Sequence, residues 1–147
     1  MTKDVLKGLT KIGLLAVIMI VAASASVKAQ SLQYKLTADV PFDFTVSDKK
    51  LPAGKYSISR AQTSNGDLVL QIVSANGKEN ISRLTIPVIT HKPMNQGTLV
   101  FNRYGNDYYL SEVWPAGGST GRELPKSRTE RELARKAVEP QIVRVGF

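Results

Sequence analysis

Gly117-x-Ser119-x-Gly121 matches the pattern of a nucleophile elbow, the strained turn that exposes a serine for acyl transfer. That chemistry needs a strand before the serine and a helix directly after it. An acid and then a histidine must follow in the chain. Here the single histidine, His91, precedes Ser119, and Pro115 and Pro125 flank the stretch. The context for a serine nucleophile is missing, and residues 116–121 read as a flexible loop. No Gly-Lys-Ser/Thr follows, so nothing places a lysine on a β- or γ-phosphate.

Carboxylates can work without histidine. A glycosidase needs two of them, about 5–9.5 Å apart across a cleft. Asp39, Asp43, Asp48, Asp107, Glu112 and Glu123 are available, but no two stand at a spacing that demands a shared site. Asn65-Gly66-Asp67 and Asn106-Asp107 read as turn chemistry rather than a calcium loop. With no cysteine and one histidine, thiolate zinc sites and most imidazole sites are excluded. No catalytic residue, metal ligand or cofactor is assigned.

Binding surfaces are a different matter. Tyr104, Tyr108, Tyr109 and Trp114 fall in one predicted hairpin. Tyr108 and Tyr109 take opposite faces of a strand, so at most one of them joins any platform. Core packing is the favoured role for these rings. Tyr104, Tyr109 and Trp114 are the candidates for an exposed remainder. From Arg122 to Lys136 there are six basic residues and three acids. This segment suits an anionic envelope polymer, a lipid headgroup or an acidic protein partner; the interleaved signs also suit a plain solvated helix face. Nucleic acid is a poor candidate without a recognisable nucleic-acid motif. The candidate ligand or partner surface is therefore Tyr109, Trp114, Ser119, Arg122, Arg131, Arg135 and Lys136.

The elements that must position these residues are mostly strands. Residues 40–46 alternate, with Phe42, Phe44 and Val46 on one side and Asp43 and Thr45 on the other. Pro41 sets the start of this strand at an edge or outside the ladder. Asn65-Gly66, Asn76-Gly77 and Gly105-Asn106 are tight-turn signals between runs rich in Val, Ile, Leu, Tyr and Phe. Leu68–Val73 is apolar on nearly both parities and predicts a strand covered on both faces. Leu84, Ile86 and Val88 predict one apolar face, with Pro87 marking an edge or bulge. Ser127-x-x-Glu130 is a capping box opening a helix to about Ala137, with Leu133, Ala134, Ala137 and Val138 as its apolar stripe. Pro140 stops it, and Val143, Val145 and Phe147 share one face of a last strand. The pattern predicts an all-β fold, an antiparallel sandwich or small barrel built from a hairpin meander, with one C-terminal α-helix.

The first residues read as an address. Lys3, Lys7 and Lys11 precede an apolar run of twelve, Ile12 to Ala23, and small residues follow. That is a secretory signal peptide; a membrane span needs about 20 apolar residues. Val27-x-Ala29 favours cleavage before Gln30, and Ala23-x-Ala25 is the other candidate. Loss of residues 1–29 lowers the net charge from +8 to +5 and leaves residues 30–147 as a single β-rich domain. Without disulfides, packing alone must hold it.

Three blocks carry a resemblance. They are Val40-Pro41-Phe42-Asp43-Phe44-Thr45-Val46 with Leu51-Pro52-Ala53-Gly54-Lys55-Tyr56, then Leu99-Val100-Phe101-Asn102-Arg103-Tyr104-Gly105. The third is Tyr109-Leu110-Ser111-Glu112-Val113-Trp114, continuing to Gly121-Arg122-Glu123-Leu124-Pro125. In this order they resemble a group of secreted β-rich proteins found in acidobacteria. The resemblance implies export from a bacterium and a small β-rich domain, and it transfers no catalytic residue.

These readings give an exported, periplasmic or extracellular, non-enzymatic binding or structural module associated with the cell envelope. The alternative is a carbohydrate-active protein that binds or hydrolyses sugar with exposed aromatics and carboxylates. The address makes a direct prediction. Mass spectrometry of the native protein should find a chain beginning at Gln30 or Ser26; an intact Met1 end in the cytoplasm contradicts export.

Overall fold

In a computed structural model, the residues described are 35–63 and 68–147. The signal-peptide expectation and the Asn65-Gly66 turn fall outside them. The strands are β1 (Lys35–Val40), β2 (Phe44–Val46), β3 (Lys49–Leu51), β4 (Gly54–Gln62), β5 (Leu68–Ser74) and β6 (Asn80–Leu84). Then come β7 (Ile86–Ile89), β8 (Thr98–Tyr104), β9 (Asp107–Trp114), β10 (Thr120–Glu123), helix α1 (Arg128–Arg135) and β11 (Gln141–Gly146). One sheet runs β1-β4-β5-β6 and the other β11-β8-β9-β10-β7, with β2 and β3 attached to the second through β9. They do not close into a barrel; the fold is a sandwich.

The core follows from strand alternation. Val40, Phe44, Val46, Leu51, Tyr56, Ile58, Leu70, Ile72, Leu99, Phe101, Leu110 and Val113 are buried in one cluster. Phe44 meets Tyr56 and Phe101 edge-on, at 5.1 and 5.5 Å between centroids. Phe42 stacks on Tyr108 at 3.9 Å and meets Phe101 edge-on, so the bend at residues 41–43 is fixed by aromatic packing. Val143, Val145 and Phe147 pack against this core from β11.

Turn chemistry sets the registers. Gly105, at φ +62°, opens the two-residue turn between Tyr104 and Asp107, as a type II′ hairpin requires. Asn76-Gly77 sits in a longer loop, because Ser74 and Glu79 still pair through backbone. There the Asn76 side chain accepts from Ser74 Oγ and from Lys78 N–H. Register Gln62↔Leu68 leaves five residues, 63–67, between β4 and β5.

Five expectations are corrected. Residues 40–46 are two strands, since the Pro41 bend takes β1 into one sheet and β2 into the other. β5 buries Leu70 and Ile72 on one face only, its other face being half-covered. Residues 84–88 also divide, at Thr85, between β6 and β7, each the last strand of its own sheet. The aliphatic side chains there face solvent: Leu84 is 57% exposed, Ile86 54% and Ile89 79%. Thr120 and Gly121, expected at the end of the loop, instead open β10, which bridges β9 and β7. The expected stripe on α1 is not a core face, because Ala134, Ala137 and Val138 are exposed.

Pro87 has a clear role at the free edge. The bond from Thr90 N–H to the Ser119 carbonyl sets the phase in which β7 faces β10. Pro87 lies in the opposite phase, so the N–H it lacks would have pointed outward. The edge is thereby blunted against an added strand.

Ala137 follows the helix C-cap at φ +56°, a position that favours glycine. Ala137→Gly should raise stability by about 0.5–1 kcal/mol, seen as a higher urea midpoint at unchanged m-value. A lower midpoint refutes the strain.

Candidate functional site

The start of α1 is built by three contacts. Ser127 is the N-cap, its Oγ accepting from Glu130 N–H at 3.0 Å. Asp48, from the β2–β3 turn, accepts the Arg128 N–H at 3.1 Å. Ser47 allows that turn by taking φ +55°. Glu130 is only 3% exposed, and its carboxylate accepts from the Asn102 amide of β8 at 2.7 Å. The capping-box glutamate thus anchors the helix to the sheet.

Beside this helix start lies a cleft of about 490 Å³. Arg83, Lys126, Arg128 and Arg131 line it with positive charge, Asp48 is its one carboxylate, and Leu84 gives it an apolar wall. Arg131 donates to the Lys126 carbonyl at 2.8 Å and Arg83 to the Ser82 carbonyl at 2.9 Å. Arg128 pairs with Glu132 at 3.3 Å, but both are exposed and such a pair is worth little. Each guanidinium has five N–H donors, so these contacts leave several for a ligand. The oxygens of a phosphate or carboxylate match that chemistry.

The residues expected to form one surface do not come together. Arg131 lines the cleft. Arg135 and Lys136 are exposed on the last turn and C-cap of α1. Ser119 is exposed in the turn before β10. Tyr109, Trp114 and Arg122 are buried, which corrects their assignment to the surface. Tyr109 meets Tyr104 edge-on at 5.8 Å. Trp114 donates its indole N–H to Glu112 at 2.6 Å, and its ring lies where a Cβ on Gly121 would fall. Arg122 donates through Nε to Thr85 Oγ1 at 3.0 Å. Burial, and then the charge of Arg60, push its guanidinium below the ordinary arginine value.

Two acids are brought together against expectation. Glu112 and Glu123 pair across β9 and β10. One Glu112 oxygen is held by Trp114, and Tyr104, Tyr109 and Trp114 are buried. None of these three rings offers a sugar platform beside the acids. Among the described residues, no three His, Asp or Glu side chains could hold a metal, and no helix is long and apolar enough to cross a membrane.

The sequence reading missed Arg83, Leu84 and Asp48 as parts of the site. Asp48 and Arg128 are 80 residues apart, and no motif links them. The chain matches no protein-family model, no curated protein and no solved structure, so its function is argued from the site alone.

Beneath α1, the buried Tyr104 hydroxyl has no hydrogen-bond partner. Burial and then the Glu130 charge push its pKa above the ordinary 10.0. Burial, then Asp107, Glu130 and Tyr104, do the same to Tyr109. A raised native value favours the folded state less once the unfolded tyrosine ionises. Stability is therefore intact below pH 10 and falls as pH rises through the raised values. Tyr104→Phe should leave neutral-pH stability within about 1 kcal/mol and flatten that alkaline decline in thermal melts. An unchanged decline excludes Tyr104 as a contributor.

Proposed function

We propose that this chain is an exported, non-enzymatic binding module that takes an anionic ligand in the cleft at the start of α1. One observation carries the reading. Four cationic side chains, Arg83, Lys126, Arg128 and Arg131, line the cleft with a single carboxylate, Asp48, which is already engaged by the Arg128 N–H. A fixed cluster of one sign attracts a ligand of the other. Export is supported by the basic, apolar and small-residue segments of the first 29 residues. The burial of Tyr104, Tyr109 and Trp114 gives the carbohydrate reading no support.

The test is retention on anionic material from the host's own envelope. Retention should fall with added salt. Lys126→Glu with Arg131→Glu should weaken it about tenfold, whereas Arg135→Glu with Lys136→Glu, outside the cleft, should weaken it less. Unfolding curves check that each variant folds. Unchanged retention after reversal at Lys126 and Arg131 refutes the site.

A further inference from the structure

The basic cleft does not end in polar surface. Its apolar wall is Leu84, and the chain continues from there through Ile86 to Ile89. Leu84 and Ile86 are each more than half exposed and costly to leave in water, while Ile89, at odd spacing from Ile86 on β7, points to the opposite face. Arg83 and Lys126 flank this strip beside the cleft, and His91 and Lys92 follow Ile89 in the chain. The nearby acids are Asp48, bonded to the Arg128 N–H, Glu132, paired with Arg128, and Glu123, opposite Ile86.

Three kinds of occupant meet this surface differently. A peptide adding a strand to β7 finds Pro87 where it needs an outward N–H. A second copy of the chain brings its own cations against Arg83, Lys126, Arg128 and Arg131, and like charges repel. A folded protein partner gains most from anchors seated in pockets, and side chains that stand out into solvent offer none. A lipid surface needs no pocket and no free strand edge. It needs cations at headgroup level and aliphatic groups that enter the acyl boundary.

We infer that this face, Arg83, Lys126, Arg128 and Arg131 together with Leu84 and Ile86, docks on a membrane whose headgroups carry anionic phosphate. The inference rests on the anionic-ligand reading above and names its source. The cations in the cleft meet headgroup phosphates, and Leu84 and Ile86 enter the interface beside them. Attachment is peripheral and reversible by salt.

The experiment uses the protein as its host produces it, with vesicles of phosphatidylcholine alone or in equal parts with phosphatidylglycerol. Inorganic polyphosphate is the soluble anion for comparison. The protein should co-sediment with the mixed vesicles better than with phosphatidylcholine alone, and less so at high salt. Leu84→Ser with Ile86→Ser should lose about tenfold in vesicle affinity while polyphosphate binding is kept. Lys126→Glu with Arg131→Glu should weaken both, by about fivefold or more per cation at the vesicle. All variants share the same N-terminus, so any lipid affinity of its own cancels in the comparison. Vesicle binding unchanged by the Leu84 and Ile86 substitutions overturns the inference. So does binding to polyphosphate without preference for the mixed vesicles, which leaves the anionic-ligand reading standing. Failure to bind either overturns both.

Discussion

A buried carboxylate accepting a hydrogen bond from a buried amide holds the helix and the basic cleft beside it in place. Glu130 and Asn102 meet at 2.7 Å between α1 and β8. An eight-residue helix is too short to be stable by itself in water. Its apolar residues do not supply the anchor, for Leu133 is only half-buried and Ala134 faces solvent. A hydrogen bond to a charged group contributes about 1.5–3 kcal/mol, and breaking one partner leaves a buried charge without compensation. Arg128 and Arg131 flank Glu130 in the same first turns, so the bond that fixes the helix also fixes the cations of the cleft.

The other half of that arrangement comes from β9. One of its edges is shared between two strands. Near its beginning, Thr45 of β2 pairs with Tyr109 in parallel. Near its end, Arg122 and Glu123 of β10 pair with Val113 and Glu112. Between them, the Leu124 N–H bonds to the Ser111 carbonyl. This division has a spatial result. The chain leaving β2 turns at Ser47-Asp48, and the chain leaving β10 runs through Pro125 to Ser127. Asp48 and Ser127 therefore arrive at the same helix start, from distant parts of the sequence, because both strands end on one edge of β9.

Local chemistry was legible from sequence, and its placement was not. Period-two alternation located most strands, Gly105-Asn106 located a hairpin, and Ser127 located the helix cap because a hydroxyl must meet the Glu130 N–H. Burial followed different rules. Trp114 and Tyr109 were open candidates for the surface, yet both are buried, Trp114 with its ring against Gly121 of the neighbouring β10 and Tyr109 edge-on to Tyr104. Leu84 and Ile86 carry the alternation of a core strand, but they end up on the free edges of two sheets. Alternation says which side chains share a face; it does not say whether anything covers that face. The cleft depends on pairings such as Thr45 with Tyr109, for which no short motif exists.

The pairings that shape the sandwich also govern how it is reached. β2 has no partner on β9 until the chain has been made through Tyr109, and Asp48 has no helix to cap until Arg128 is in place. β11, at the end of the chain, completes the edge beside β8. Each such closure fixes a long loop before its contacts repay the lost entropy. Topologies of this kind fold on the order of milliseconds to seconds, far slower than helical bundles. Under the export proposed above, such slowness is useful. It keeps the polypeptide threadable for the interval in which an unfolded-chain translocation pore has to receive it.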